Sequence, residues 1–140
     1  MFSKAASQEL RTNFWISFGK SFPKKWILYK TDIKGLKLKF HFDTSHATVS
    51  LEIDAELEQR IALWGKLTAL KELLLTDYLP NALFTETYFL DNKKEISCVH
   101  VEKSAVSIHN KNTWQETMVF LNDSMIKFEI FFREYEDYLR

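Results

Sequence analysis

Between Leu36 and Ile53 the side chains alternate so strictly that one local structure accommodates them best. Leu36, Leu38, Phe40 and Phe42 fall on one side of an extended chain and Lys37, Lys39 and His41 on the other, and Ala47, Val49, Leu51 and Ile53 repeat the pattern. A period of two is that of a strand with one buried face. Folding the chain back with Asp43, Thr44, Ser45 and His46 at the tip sets Phe40 opposite Val49 and Lys37 opposite Glu52. Apolar faces then coincide and opposite charges meet, whereas a slip of one residue would turn every apolar side chain to water.

Helical periods flank this hairpin. Leu10, Phe14, Phe18 and Phe22 recur every four residues, with Trp15 on an adjoining line and Pro23 as a stop, which predicts one amphipathic helix. Trp26-Ile27-Leu28-Tyr29 reads as a strand or an extended lead-in. After the hairpin, Asp54 is placed to cap a helix, and Glu56 and Glu58 suit its positive end. Leu57, Ile61, Trp64, Leu67, Leu70, Leu74 and Tyr78 give that helix a single long stripe ending before Pro80. Leu83 to Leu90 and Glu95 to Val101 read as strands around the polar tip Asp91-Asn92-Lys93-Lys94, in a register the pattern leaves open, and Ala105 to Ile108 as a short extension.

Thr113 and Glu116 have the spacing of a capping box. They precede a heptad seam of Trp114, Met118, Leu121, Met125, Phe128, Phe132, Tyr135 and Leu139. Such a helix is about 40 Å long, enough for part of it to project toward a partner. The expectation is an α+β fold in the order αββαββα, with an antiparallel sheet of about four strands from two hairpins packed with three helices, as one domain over residues 1–140.

Composition limits the rest. Only three glycines and two prolines serve 140 residues, so most of the chain belongs to regular elements. The 19 basic and 19 acidic residues cancel, and net charge argues for no particular partner. A single cysteine, Cys98, excludes an internal disulfide and suits a reducing compartment. The opening MFSKAASQEL lacks the apolar run of a signal peptide, and no stretch approaches the roughly 20 apolar residues of a membrane span. A cytoplasmic protein without membrane contact is expected.

Catalytic patterns are sparse. Metal-dependent phosphodiester cleavage gathers carboxylates around magnesium with a lysine nearby, and two acid-x-Lys triplets occur, Asp32-Ile33-Lys34 and Asp91-Asn92-Lys93. The first has only Glu9 upstream and the second falls on a hairpin tip. Glu52 and Asp54 are the remaining catalytic candidates, but pairing of Glu52 with Lys37 across the hairpin and capping of a helix by Asp54 are the favoured explanation of both. Cys98 and His100 share a strand face as two zinc-type ligands without a matching second pair, and His41, His46 and His109 look scattered. No metal or other cofactor is expected, since a phosphate loop and a nucleophile elbow are also missing from the pattern.

Charge distribution says more than its sum. The first 40 residues carry nine Lys or Arg against only Glu9 and Asp32. Lysines beside Trp15, Trp26 and Tyr29 could hold a nucleic-acid backbone, with Lys24, Lys25, Lys37, Lys39 and His41 as the binding-surface candidates; the plainer explanation is aromatic core with a solvated basic rim. The C-terminal seam likewise offers a homodimer contact, although its bulky aromatics suit packing on the domain's own core better than a narrow two-stranded coil.

Phe14-Trp15, the run Lys25-Trp26-Ile27-Leu28-Tyr29 leading through Gly35 into the alternating strand, Ala47-x-Val49, Leu51-Glu52-Ile53, Arg60, Trp64, Leu67, Lys71, Trp114, Phe120-Leu121 and Glu134-Tyr135 together resemble the bacterial family called domain of unknown function 4268. The resemblance covers nearly the whole chain. In longer members the domain tends to follow a restriction-endonuclease-like region, which implies service in nucleic-acid or defence systems; it carries over no catalytic residues. The functional expectation is a non-catalytic binding or scaffolding domain. The alternatives are a divergent metal-dependent nuclease of restriction-endonuclease-like type, and nucleic-acid binding without cleavage through the basic N-terminal third.

Overall fold

A computed structural model describes residues 2–140 and folds the alternating segment into the hairpin its pattern demands. Strands β1 (Leu36–Phe42) and β2 (His46–Ile53) are antiparallel, with Phe40 opposite Val49 and Lys37 opposite Glu52. The second hairpin is β3 (Leu83–Phe89) and β4 (Glu95–Ser104), and the sheet order is β1-β2-β4-β3. The two central strands are therefore β2 and β4, with Ser50 opposite His100 and Glu52 opposite Cys98.

Alternation sorts the side chains onto two faces. Leu36, Leu38, Phe42, Ala47, Val49, Leu51, Ile53, Val99 and Val101 join one core cluster with residues from the helices. Helix α1 (Lys4–Ser21) contributes Phe14 and Phe18, and Ser3 caps its start by accepting from the amide of Ala6. The last helix, α4 (Trp114–Leu139), spends its seam on this core, where Met125, Phe128 and Phe132 are almost wholly buried. Its final turn does not overhang, since Leu139 is fully buried.

Among the described residues four α-helices form where three were expected, because the long stripe after the first hairpin is cut in two. Helix α2 (Leu57–Ala69) ends at Leu70, whose amide turns back to the carbonyl of Leu67, and α3 (Lys71–Asp77) follows at once. Leu63, Leu67, Leu70 and Leu74 stay buried across the break, so the apolar period conceals it. The run Trp26 to Tyr29 forms no strand, and Leu28–Lys30 makes a short 3-10 turn. Ala105 leaves the sheet with a left-handed backbone, and Val106 and Ile108 enter the core without pairing as a strand. Among the described residues no helix is long and apolar enough to cross a membrane.

Two expected caps are not made. Thr113 donates to the carbonyls of Ser107 and Asn110 and caps no amide of α4, while Asn110 caps the preceding 3-10 turn. Asp54 caps nothing either: its carboxylate is held between Lys94 at 2.7 Å and Lys37 at 3.1 Å. Sheet twist offsets the pairing expected between Lys37 and Glu52, so Lys37 reaches Asp54 diagonally and Lys39 is the lysine beside Glu52, at 3.8 Å.

The hydrogen bond from Lys94 is the main influence on Asp54. With Lys37 it outweighs partial burial and holds the carboxyl below its ordinary 3.8. A carboxylate depressed by folding adds stability that is complete above its unfolded value and is lost as the pH falls through the folded one. Asp54→Asn is thus expected to cost about 1 kcal/mol at neutral pH, the exposed position of Lys94 limiting the loss. Urea titrations of both proteins should show the difference shrinking to nothing in strong acid.

Candidate functional site

The face of the sheet turned away from the helices is polar, and it is not flat. β3 loses register with β4 between Thr85 and Tyr88, and such a bulge bends a strand and sharpens its twist. Beyond it Tyr88, Phe89 and Leu90 form one wall of a cleft, with the tip residues Asp91 and Asn92 at its rim. The tip of the first hairpin stands opposite, and β2 and β4 supply the floor through Ser50, Glu52, Cys98 and His100. The volume of this half-open cleft is about 510 Å³, within the range of small-molecule sites.

Glu52 dominates the floor. The residue is 7% exposed. Its Oε2 accepts a hydrogen bond from Ser50 Oγ at 3.1 Å, whereas Oε1 has no hydrogen-bond partner and Lys39 Nζ stands 3.8 Å from it. A buried carboxylate oxygen left in this way carries a desolvation cost that nothing around it fully offsets.

Cys98 and His100 lie beside it, with Sγ and Nδ1 3.7 Å apart. Burial, reinforced by the charge of Glu52, pushes the Cys98 thiol up to about 12, so it is a thiol and not a nucleophilic thiolate at neutral pH. Burial also lowers the pKa of His100 below the usual histidine value, with His46 adding to the effect and Glu102 partly offsetting it. His100 is thus neutral near pH 7. The ring of Tyr88 packs against it with centroids 6.0 Å apart.

At the opposite rim His41, Asp43 and His46 come together. Asp43 organises the turn: Oδ1 accepts from the amides of Ser45 at 2.8 Å and His46 at 3.0 Å, and Oδ2 lies 2.9 Å from His41 Nε2. Partial burial works against ionisation, but these hydrogen bonds and the neighbouring His46 hold the Asp43 carboxyl well below the carboxylate range. Three of the chain's four histidines therefore line one cleft. The positions 41, 43 and 46 on a hairpin tip were the signal for this grouping; His100 and Glu102 join through the pairing of β2 with β4, which no local pattern announces.

The site residues read from the sequence separate into three places. Lys39, His41 and Glu52 line the cleft. Lys37 and Asp54 pair outside its lining. Lys24 and Lys25 border a more open depression against α4, where Lys24 is 3.6 Å from Glu129. Among the described residues no third carboxylate, histidine or cysteine completes a metal-binding group with Glu52 and Asp54.

The family described as Domain of unknown function (DUF4268) matches residues 10–136. The chain belongs to this family. The match runs from within α1 to the last turns of α4, so every strand that builds the cleft lies inside the DUF4268 domain. No curated protein and no solved structure matches the chain.

Proposed function

We propose that this DUF4268 domain is a non-catalytic binding module whose ligand occupies the cleft, with Glu52 receiving a cationic, hydrogen-bond-donating group such as an alkylammonium or guanidinium. The observation that carries the reading is Glu52 Oε1 at the floor, buried without a hydrogen bond and with Lys39 Nζ standing 3.8 Å away. A donor that displaces Lys39 and reaches this oxygen supplies the hydrogen bond that the fold does not, and such a polar group is a common anchor in an otherwise half-apolar pocket.

The charge of the lining supports the same choice. Asp43, Glu52, Asp91 and Glu102 face Lys39 alone among the permanently charged residues, so the cleft attracts cations and repels phosphate. Against the nuclease alternative, Glu52 and Asp54 are each engaged by lysines, and among the described residues no third ligand joins them. Against the nucleic-acid alternative, three of its four candidate lysines are engaged by carboxylates: Lys24 pairs with Glu129 on the helical side, and Lys37 and Lys39 pair on the sheet. Service of the module in a nucleic-acid or defence system remains compatible with a small cationic ligand.

The test is a thermal-shift screen with small alkylammonium and guanidinium compounds, followed by amide chemical-shift mapping. A compound present at 100 times its Kd should stabilise the protein by about 2.7 kcal/mol. Glu52→Gln keeps the Ser50 contact and should abolish the response, and Asp32→Asn, which removes an exposed acid elsewhere, should leave it intact. Oligonucleotide binding that weakens steeply with salt and disappears in the double variant Lys24→Ala, Lys25→Ala would favour the nucleic-acid reading instead.

A further inference from the structure

The tip of the first hairpin carries a second chemistry, independent of Glu52. We propose that His41, Asp43 and His46 form a binding site for a divalent transition-metal ion of the zinc type, with its open coordination position facing the cleft. One ligand atom from each residue lies within 4.8 Å of the other two. His41 Nε2 is 2.9 Å from Asp43 Oδ2, and His46 Nδ1 is 3.3 Å from Asp43 Oδ1. Around tetrahedral zinc with bonds near 2.0–2.1 Å, neighbouring ligand atoms are about 3.3–3.4 Å apart. Each histidine thus stands near that spacing from one oxygen of Asp43, and one ligand atom from each of the three residues falls within 4.8 Å of the others, so a small closure of the cluster brings them onto a metal.

The backbone supplies this arrangement. β1 is extended, so His41 and Asp43 project from the same side of the chain, and the turn closed by Asp43 returns His46 beside them. Because the turn amides bond to Oδ1, Oδ2 stays directed at His41. Ser45 Oγ, 3.0 Å from His46 Nδ1, is the one local group that a metal would displace from that nitrogen.

A further contact lies outside the triad. The other ring nitrogen of His46, Nε2, lies 3.7 Å from Glu102 Oε1 on β4. At this distance Glu102 is a nearby charge; a rotation of its half-exposed side chain into hydrogen-bond range on metal binding would fix the ring's tautomer and orientation and raise its basicity. Glu102 comes from a distant part of the chain, so the turn alone does not account for it. Two imidazoles and one carboxylate suit zinc, cobalt, nickel or iron better than calcium or magnesium, which favour sets made of oxygen alone. Three protein ligands leave at least one position for water or for a donor atom of a molecule in the cleft.

Tag-free protein titrated with zinc chloride in a calorimeter should take up one ion per chain, with no comparable heat from magnesium. His41→Ala and His46→Ala should lose binding. Asp43→Asn keeps the Oδ1 acceptor of the turn while replacing Oδ2, so it should lose binding with the amide spectrum of the hairpin retained. Glu102→Gln should weaken binding about 10- to 100-fold, and Cys98→Ser should leave it unchanged. Absence of zinc uptake by the wild type overturns the proposal. So does uptake that survives in His41→Ala and His46→Ala but is lost in Cys98→Ser, which would place the ion on Cys98 and His100.

Discussion

Phe14→Ala is expected to lower the free energy of unfolding by about 3–5 kcal/mol, the range for emptying a buried phenylalanine site. Phe14 is fully buried, and its ring meets Trp15 and Phe18 of α1, Phe42 of β1 and Trp114 of α4. One side chain therefore joins the first helix, the edge of the sheet and the last helix. The neighbouring rings are held from several directions and close poorly over a void, which puts the expected loss toward the upper end. Urea denaturation measures it. Ile130→Ala, at a position 55% exposed, should change stability by no more than about 0.5 kcal/mol. Equal effects from the two substitutions would mean that Phe14 is not part of the packed core.

Gly35→Ala should cost about 2–4 kcal/mol, and the loss has two separable sources. The residue has φ +85°, a left-handed backbone that costs a side-chain-bearing residue about 1–2 kcal/mol. An added methyl would also lie 2.8 Å from Ala55 Cβ and 3.2 Å from the carbonyl oxygen of Asp54, and overpacking of this kind costs about 1–3 kcal/mol. Ala55→Gly in the same chain removes the closest clash and leaves the backbone term, so the double variant should recover part of the loss. Gly35 also accepts the amide of Asp54 through its own carbonyl at 2.7 Å. The same contact pins the open end of the first hairpin, so cleft binding should weaken along with stability.

The first hairpin was legible in the sequence residue for residue because a period of two tolerates no slip when one face is buried. The second was blurred for a definite reason. On β4, Val99 and Val101 face the helices while Ile96 and Cys98 are buried on the other side, so the strand is apolar on both faces and its alternation fades. The break at Leu70 escaped notice because the apolar stripe continues through it. Asp54 had every local mark of a cap, but Lys94, brought in from the second hairpin tip, competes for its carboxylate.

The candidate site was half visible. Lys39, His41 and Glu52 stand on the outward face of a hairpin whose register the pattern supplies, and the same register brings His46 to His41 once the outward face is read as closely as the inward one. Cys98, His100 and Glu102 enter the site through the β2–β4 pairing, and Tyr88 through a bulge. The first three depend on contacts between segments about 50 residues apart in the chain, and neither they nor the bulge have a local signature.

The bulge in β3 separates what can change in this domain from what cannot. The floor of the cleft belongs to β2 and β4, whose reverse face is the core, so a substitution there risks folding. Its rims are residues of two hairpin tips, Asp43 and His46 on one and Asp91 and Asn92 on the other, that carry no share of the hydrophobic cluster. Descendants of one ancestral domain can therefore exchange rim residues, or lengthen a tip, while the scaffold stays intact. Diversity among members of the family should concentrate at these two turns, with the ligand's identity written at the rims and its anchoring at the floor.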